Sequence, residues 1–335
     1  MSRKLRVGIN GFGRIGRMVF RAGYDKVDFV GINDTSDIAT SAHLLKYDST
    51  HRMAPFEVGH NAAGLLVNGK SIPVSSSKNP ADIPWDKWEV DIVFECTGAF
   101  KSAADFQKHI KGSVKRVLVS APAEGVDFTA VFGVNHTQYD AGKHKIVSNA
   151  SCTTNCLAPL VKVLHENFTI EKGMMTTVHS YTSDQRLLDA GHKDLRRARA
   201  AALSMIPTTT GAAIAVGEVL PDLKGKIDGV SIRVPTPDVS LVDFVGITKK
   251  QVTIESVNDA LTKASQKEML GIMKIEKDPL VSTDFIGSPF SSIIDLDQTM
   301  VIEGNMIKVL SWYDNEMGFS HRMVDLALFM KAKGL

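Results

Sequence analysis

Short apolar runs alternate with amphipathic stretches along the first 150 residues, a pattern typical of helices packed on a parallel sheet. Between the first two runs, Ile15, Met18 and Val19 recur on one face of a predicted helix, Arg14–Gly23. The apolar runs themselves predict six strands, at Leu5–Asn10, Asp28–Asn33, Asp91–Cys96, Arg116–Val119, Thr129–Val134 and Lys145–Ser148.

The pattern changes near Ser151, where a predicted helix is followed by longer strands rich in Thr and Val. These strands, near Met174–Ser180, Gly229–Val234 and Val239–Thr248, favour an antiparallel sheet and a second domain. At the end of the chain, the apolar spacing over Glu316–Lys333 predicts a final helix.

The segment Asp184–Ser204 has little apolar periodicity and carries several basic residues, so we expect a long loop there. A loop of this length inside a compact domain is usually functional or covered by another subunit.

The charge balance excludes two classes of protein, dedicated nucleic-acid binders and membrane binders. With 39 Lys and Arg against 37 Asp and Glu, the net charge is +2, far below what a dedicated nucleic-acid or membrane binder needs. No stretch reaches the roughly 18 apolar residues of a membrane span, and the N-terminus lacks a signal-peptide pattern, so we expect a soluble, cytoplasmic protein.

Three cysteines, Cys96, Cys152 and Cys156, favour free thiols over a disulfide framework. Cys152 and Cys156 are four residues apart and have no second ligand pair, so no metal site is predicted. Cys96 and Cys156 lie among apolar residues and are interpreted as packing residues.

A glycine pattern follows the first predicted strand and opens the first predicted helix. Gly11, Gly13 and Gly16 match G-x-G-x-x-G, and Asp34 ends the next strand eighteen residues after Gly16. This order of strand, turn, helix and strand predicts a dinucleotide site, in which the pyrophosphate lies at the helix N-terminus and Asp34 binds the ribose diol. A carboxylate there favours NAD over NADP.

Cys152 follows a strand and begins a predicted helix, where the free N–H groups and the helix dipole are expected to lower the pKa of its thiol. Pro159 leaves two alternatives open, a kinked helix or a later start, and a later start weakens this argument. His179, at the end of a predicted strand, is a candidate base, although spacing alone does not establish the pair.

Three motifs, in this order, resemble those of the phosphorylating glyceraldehyde-3-phosphate dehydrogenase family, and the resemblance runs essentially end to end. They are INGFGRIG at residues 9–16, ASCTTN at 150–155 and WYDNE at 312–316. The resemblance implies reversible oxidative phosphorylation of D-glyceraldehyde 3-phosphate to 1,3-bisphosphoglycerate. Cys152 would attack the aldehyde to form a thiohemiacetal, and His179 would serve as the base. Inorganic phosphate would then attack the resulting thioester.

The resemblance also implies roles for anion-binding residues. The attacking phosphate would lie among Ser151, Thr153, Thr210, Gly211 and Arg233, and the substrate phosphate among Thr182, Arg197 and Arg233. The implied cofactor residues are Gly11, Gly13, Arg14, Ile15, Gly16, Asp34, Lys78, Ser120 and Asn315. Lys78 departs from the family, which usually has Arg-Asp-Pro where this chain has Lys-Asn-Pro.

Two further departures concern cofactor choice. Ala190 and Gly191 stand where strictly NAD-dependent members usually carry Leu-Pro, and residues 34–36 resemble those of photosynthetic members that also accept NADP. The hypothesis is NAD as the main cofactor with measurable NADP use.

The predicted fold class is α/β, with a Rossmann-type doubly wound parallel sheet in residues 1–150 and 315–335. An α+β catalytic domain with a mainly antiparallel sheet is predicted for residues 151–314.

The resemblance implies a homotetramer. Erythrose-4-phosphate dehydrogenase is the main alternative; a semialdehyde dehydrogenase and a non-catalytic dinucleotide sensor are weaker ones. The segments SYT at 180–182 and PTTTG at 207–211 favour the glyceraldehyde type.

Overall fold

The computed structural model describes residues 3–335, which divide into two compact units. The first unit contains the described residues up to Ala130 together with His136–Ala150 and Ser320–Leu335. The second contains Val131–Asn135 and Ser151–Phe319. None of the helices in the described chain combines the length and the apolar run that a membrane crossing needs.

The first unit is built on a nine-stranded sheet. Its helices are α1 (Arg14–Gly23), α2 (Ile38–Lys46), α3 (Ala103–Gln107) and most of the C-terminal helix Met317–Ala332. Its strands are β1 (Arg6–Asn10), β2 (Asp28–Asn33), β3 (Tyr47–Asp48), β4 (Arg52–Met53), β5 (Val58–Asn61), β6 (Gly64–Val67), β7 (Lys70–Ser75), β8 (Ile92–Glu95), β9 (Arg116–Val119), β10 (Phe128–Thr129) and β11 (Ile146–Ser148).

The sheet order is β10-β11-β9-β8-β1-β2-β7-β6-β5, and every pairing from β10 to β7 is parallel. Strands β5 to β7 form an antiparallel edge, and β3 and β4 pair separately. β1 lies between β2 and β8, so the strand order reverses beside it, and this switch point is where open α/β sheets bind ligands. The predicted Rossmann-type sheet is confirmed.

One predicted strand of this region is wrong. Of the predicted strand Thr129–Val134, only Thr129 is extended, as the second residue of β10 (Phe128–Thr129), and the chain then turns. The turn forms because the Asn135 Oδ1 accepts a hydrogen bond from the Val131 N–H (2.8 Å) and Gly133 adopts φ +86°. An apolar run that contains Gly and ends in Asn therefore supports a turn here.

The second unit carries a seven-stranded sheet. Its helices are α4 (Cys152–Phe168), α5 (Ala212–Val219), α6 (Ile254–Ser265) and the first turn of α7 (Met317–Ala332). Its strands are β12 (Ile170–Ser180), β13 (Ile206–Thr209), β14 (Ile227–Val234), β15 (Ser240–Thr248), β16 (Met273–Glu276), β17 (Ser292–Ile302) and β18 (Met306–Tyr313).

The order of this sheet is β13-β14-β12-β15-β18-β17-β16, and only the β12–β14 and β16–β17 pairings are parallel. Helices α4, α5 and α6 cover one face, so β15 alternates between buried Val242 and Phe244 and half-buried Leu241 and Val245. The predicted mainly antiparallel sheet is confirmed. Residues 181–205 of the described chain contain no helix or strand element, as the loop prediction for Asp184–Ser204 requires.

The opposite face of this sheet exposes large apolar side chains. The register of β12, β14, β15, β17 and β18 places these side chains on one surface. They are Met174, Val230, Met300, Ile302 and Met306, which are 38% to 66% exposed. We call this surface the open face.

Candidate functional site

Cys152 is the first residue of α4, and the residues before it shape the helix start. Ala150 has φ +55°, a conformation that L residues rarely adopt, and it turns the chain sharply between β11 and α4. Ser151 caps the helix because its Oγ accepts a hydrogen bond from the Thr154 N–H (3.0 Å). Pro159 lies inside α4, and the helix nevertheless begins at Cys152, which excludes the later start.

His179, at the end of β12, lies against the thiol, with 3.5 Å between the Cys152 Sγ and the His179 Nε2. The His179 Nδ1 is 2.7 Å from the Ser180 carbonyl oxygen, which can only accept. The Arg233 Nη1, which can only donate, is 3.1 Å from the same Nδ1 and also 3.1 Å from the Ser180 carbonyl oxygen. Because the contact of Nδ1 with the carbonyl oxygen is the shorter one and Arg233 can donate to that oxygen, we assign the proton of the neutral ring to Nδ1, which presents the Nε2 lone pair to the thiol. This orientation suits His179 to remove the thiol proton.

The protonation state of the pair differs from the sequence prediction. Burial raises the pKa of the Cys152 thiol; the Arg233 charge and hydrogen bonds from Thr153 oppose this without cancelling it. Burial, and then the charge of Arg233, lower the pKa of His179 to about 3. The predicted fall of the thiol pKa is therefore wrong, because desolvation outweighs the helix N-terminus. At neutral pH the pair is a thiol and a neutral imidazole.

Arg233 is the cation nearest this pair. It lies on β14 directly beside His179 in the strand register, and its Nη1 is 3.1 Å from the Ser180 carbonyl oxygen and 3.5 Å from the Thr182 Oγ1. Its Nε is buried, and no atom of the described chain bonds to it. No carboxylate among residues 3–335 forms an ion pair with Arg233, so its positive charge remains available to an anion.

Arg197, in the long loop, is held differently. Its Nη1 donates to the Asp184 carboxylate (2.6 Å), and its Nε donates to the Thr208 Oγ1 (3.0 Å). Burial lowers the pKa of Arg233, and the charge of Arg197 also lowers it, whereas Cys152, Tyr313 and Asp184 act in the opposite direction. The two guanidinium groups therefore lie near each other, which concentrates positive charge at this end of the sheet.

The N-termini of α4 and α5 meet beside Cys152. The Thr154 Oγ1 donates to the Ala212 carbonyl oxygen (3.3 Å), which joins the first turns of the two helices. The N-cap residue of α5 is Gly211, which is exposed, and the Oγ1 of the preceding Thr210 accepts a hydrogen bond from the Ala212 N–H (3.2 Å). Two adjacent helix N-termini present free N–H groups and positive dipole ends to the same region, an arrangement that favours anions.

Tyr313 is a site residue that the sequence did not single out beyond its motif. Its buried hydroxyl bonds to the Thr153 Oγ1 (2.8 Å) and the Thr177 Oγ1 (2.9 Å). Its ring meets the His179 ring edge-on, with 6.0 Å between centroids. Tyr313 thus fixes both Thr153 and the imidazole, a role visible only once β18 is placed beside β15.

In the first unit, the carboxyl ends of β1, β2 and β8 border a cleft of about 440 Å³. The predicted residues Gly11, Gly13, Asp34 and Lys78 line this cleft. Residues that the sequence did not single out line it too, namely Asn10, Asn33, Thr35, Ser77, Cys96, Thr97, Ala99 and Phe100. We call this the dinucleotide cleft.

The three glycines serve different purposes. Gly11 has φ +90°, and a Cβ there would lie 2.7 Å from the Thr97 backbone nitrogen. A Cβ on Gly16 would lie 2.1 Å from the Gly11 carbonyl oxygen. A Cβ on Gly13 would meet nothing within 4 Å, so this glycine leaves open space in the cleft. α1 begins after Gly13 without a side-chain cap hydrogen bond, and a helix N-terminus favours an anion such as a pyrophosphate. These features fit a dinucleotide.

Asp34 and Arg14 already have partners in the protein. The Asp34 carboxylate accepts from the Phe12 N–H (2.5 Å) and the Ser36 N–H (2.8 Å), so it closes the glycine turn. The Arg14 guanidinium pairs with the buried Asp48 carboxylate. The backbone of Arg14, rather than its side chain, therefore suits the pyrophosphate.

The remaining predicted cofactor residues lie outside the cleft lining. Ser120 follows β9 and donates its N–H to the Glu95 carbonyl oxygen (3.0 Å). Asn315 lies in the second unit, where its Oδ1 accepts from the hydroxyls of Ser180 (2.9 Å) and Ser240 (2.8 Å). Its Nδ2 has no bond within the described residues, so this amide offers a donor close to His179.

Comparisons with known proteins match both units. The family model described as the glyceraldehyde 3-phosphate dehydrogenase NAD binding domain matches residues 5–103, and that of the C-terminal domain matches residues 151–315. Glyceraldehyde-3-phosphate dehydrogenase 1 of Bacillus cereus is 57% identical over 332 residues, which cover 98% of this chain and 99% of the relative. The Geobacillus stearothermophilus enzyme is 57% identical over 99% of each chain. Glyceraldehyde-3-phosphate dehydrogenase 2 of Nostoc sp. is 51% identical over 98% of this chain and 99% of the relative.

Proposed function

The chain belongs to the glyceraldehyde-3-phosphate dehydrogenase family, and from this premise we propose that it oxidises and phosphorylates D-glyceraldehyde 3-phosphate to 1,3-bisphosphoglycerate. The reaction uses NAD and inorganic phosphate and is reversible, as glycolysis and gluconeogenesis require. The contact between the Cys152 Sγ and the His179 Nε2 carries this proposal, because it joins a nucleophile to a base beside a cation without a carboxylate partner.

The first half of the reaction requires a thiolate and a base. The His179 Nε2 accepts the thiol proton, and the Cys152 Sγ attacks the aldehyde carbon to form a thiohemiacetal, whose oxygen takes up that proton. NAD, when bound, supplies the acceptor for the hydride that leaves this carbon. The His179 Nε2 then removes the hydroxyl proton, and a thioester on Cys152 remains.

The second half needs a place for inorganic phosphate. A phosphate oxygen attacks the thioester carbon, the Cys152 thiolate leaves, and His179 returns a proton to the sulfur or releases it to solvent. Ser151, Thr153, Thr210, Gly211 and Arg233 are proposed to hold this phosphate, and the adjoining starts of α4 and α5 support that assignment. Thr182, Arg197 and Arg233 are proposed to hold the phosphate of the substrate.

The cofactor lies, in this proposal, in the dinucleotide cleft. The glycine turn and the start of α1 hold the pyrophosphate, Asp34 the adenosine ribose, and Asn315 the nicotinamide carboxamide. Lys78 and Ser120 complete the proposed set. NADP use beside NAD is proposed because Ala190 and Gly191 are small and exposed, although the negative Asp34 opposes a 2′-phosphate.

We further propose a homotetramer, located in the cytoplasm. In the isolated chain the long loop exposes Leu187, Leu195 and Leu203 at more than 80%, and the open face is apolar, as expected of surfaces that other copies of this chain cover. Residues 1–150 and 315–335 are proposed as the NAD-binding domain and residues 151–314 as the catalytic domain. No metal and no dedicated nucleic-acid or membrane partner is part of this proposal.

Absorbance at 340 nm tests the proposal. Purified, reduced protein is mixed with glyceraldehyde 3-phosphate and NAD, with and without inorganic phosphate, and then with NADP. We expect phosphate-dependent turnover with NAD, weaker turnover with NADP, and none in the matched variant Cys152→Ser. Turnover with erythrose 4-phosphate and none with glyceraldehyde 3-phosphate would contradict the substrate assignment.

A further inference from the structure

A buried carboxylate lies below the dinucleotide cleft, and the reaction does not use it. Glu95 ends β8 and is 2% exposed. The strand register places it beside Asn10, and Asn10 beside Asn33, along the carboxyl edge of the sheet. An anion buried below a site that binds an anionic dinucleotide is electrostatically unfavourable, so its presence calls for a compensating role.

The Glu95 carboxylate accepts hydrogen bonds from both walls of the cleft. Its Oε1 accepts from the N–H (2.8 Å) and the hydroxyl of Thr97. Its Oε2 accepts from the Asn10 Nδ2 (2.6 Å) and lies 3.1 Å from the His109 Nε2. Asn10 precedes the glycine turn, and Thr97 packs against Gly11, so a single side chain joins the two turns that border the cleft.

The direction of each bond is fixed by groups that can only donate. The Trp85 indole N–H donates to the His109 Nδ1 (3.0 Å), so the neutral ring carries its proton on Nε2 and donates it to Glu95. Asn10 turns its Nδ2 to Glu95, and its Oδ1 accepts from the Asn33 Nδ2 (2.8 Å). Asn33 in turn accepts from the Ser77 N–H (2.8 Å) beside Lys78. The chain of bonds thus runs beneath the whole cleft.

We propose that Glu95 is a positioning residue for the dinucleotide, because its carboxylate sets the spacing between the glycine turn and Thr97. Only a carboxylate offers acceptors to all four donors. An amide at this position turns its NH2 group either to Asn10 and His109 or to the Thr97 N–H, and each choice places donor against donor. This inference rests on the proposed function, since it assumes that NAD binds in this cleft.

The decisive experiment measures NAD binding by equilibrium dialysis, together with turnover and thermal unfolding. For Glu95→Gln we expect the Kd for NAD to rise about tenfold, the factor that corresponds to 1.4 kcal/mol. We also expect kcat at saturating NAD and the KM for phosphate to stay within about twofold, because the Cys152 site does not change. His109→Leu removes one of the four donors and is expected to raise the Kd less. It supplies the test if Glu95→Gln does not fold.

Tyr139→Phe is the matched control. It removes a buried hydrogen bond in the same unit, from the Arg116 Nε to the Tyr139 hydroxyl (2.9 Å), away from the cleft lining. We expect it to lower the Tm and leave the Kd for NAD unchanged. If Glu95→Gln, or His109→Leu in its place, folds and binds NAD as wild type does, the inference is overturned and the proposed function stands. If wild-type protein neither binds nor reduces NAD, both are overturned.

Discussion

Replacing Tyr313 with Phe tests whether this tyrosine orients the phosphate-binding end of α4. The substitution keeps the ring that meets His179 and removes only the hydroxyl, which bonds to Thr153 and Thr177. Each neutral hydrogen bond contributes about 0.5–1.5 kcal/mol, so the two together contribute roughly 1–3 kcal/mol. At roughly 2–4 °C per kcal/mol for a unit of this size, we expect the Tm to fall by about 2–12 °C.

The kinetic effect separates positioning from stability. Once Thr153 loses its bond to Tyr313, its hydroxyl is free to rotate, and we expect the KM for inorganic phosphate to rise roughly three- to tenfold. The KM for NAD should not change. The assay is absorbance at 340 nm with varied phosphate at saturating substrate and NAD.

Thr177→Val is the matched control, because it removes the other bond of the same hydroxyl and leaves the bond between Thr153 and Tyr313 intact. It should lower the Tm but leave the KM for phosphate near the wild-type value. If Tyr313→Phe lowers the Tm and the KM for phosphate stays unchanged, Tyr313 is a packing residue and the reasoning fails.

Two further predictions concern protonation and the glycine turn. The pKa of His179 falls from 6.5 in the unfolded chain to about 3 in the folded protein, so the unfolded state binds the extra proton between these values. The free energy of unfolding is therefore unaffected by this group above pH 6.5 and falls by roughly 1.4 kcal/mol per pH unit as the pH is lowered from 6.5 towards 3. The free energy of unfolding, measured by chemical denaturation, should therefore depend more steeply on pH between 6.5 and 3 in wild type than in His179→Asn. Parallel pH dependences of the two proteins would contradict the assigned pKa. Gly16→Ala should destabilise the protein and weaken NAD binding at least roughly a hundredfold, since its Cβ would lie 2.1 Å from the Gly11 carbonyl oxygen. Gly13→Ala should keep the wild-type Tm and still weaken NAD binding; a wild-type Kd would show that the pyrophosphate does not approach Gly13.

The sequence predicted those parts of the fold in which one physical signal dominates. Buried parallel strands such as β1 and β2 are apolar runs, and α1 has a clear apolar face. Strands β5 to β7 were not predicted. β5 and β7 expose residues such as His60 and Lys70, and the apolar run of β6 is only four residues long. The strand over Thr129–Val134 was wrong because local hydrogen bonding by Asn135 outweighed strand propensity.

For the candidate site, the sequence identified the reactive residues through their types and motifs, but it did not indicate how deeply each side chain is buried or which groups it contacts. Cys152 and His179 were identified by motif, but whether the pKa of the Cys152 thiol is raised or lowered depends on how deeply the fold buries the sulfur. The roles of Tyr313 and Glu95 depend on bonds across strands that are far apart in the chain. No spacing in the sequence indicates such pairings.

The parallel pairing of β12 and β14 has a consequence for how this chain can diverge. Their register sets His179 beside Arg233, whatever the length or composition of the segment that connects the two strands. Insertions and substitutions in that segment, which includes the long loop, can therefore alter what the protein recognises without moving the base from the guanidinium. A one-residue slip inside either strand would turn the two side chains to opposite faces of the sheet. Selection can therefore vary specificity in the connection, while the chemistry tolerates almost no change of length in the strands.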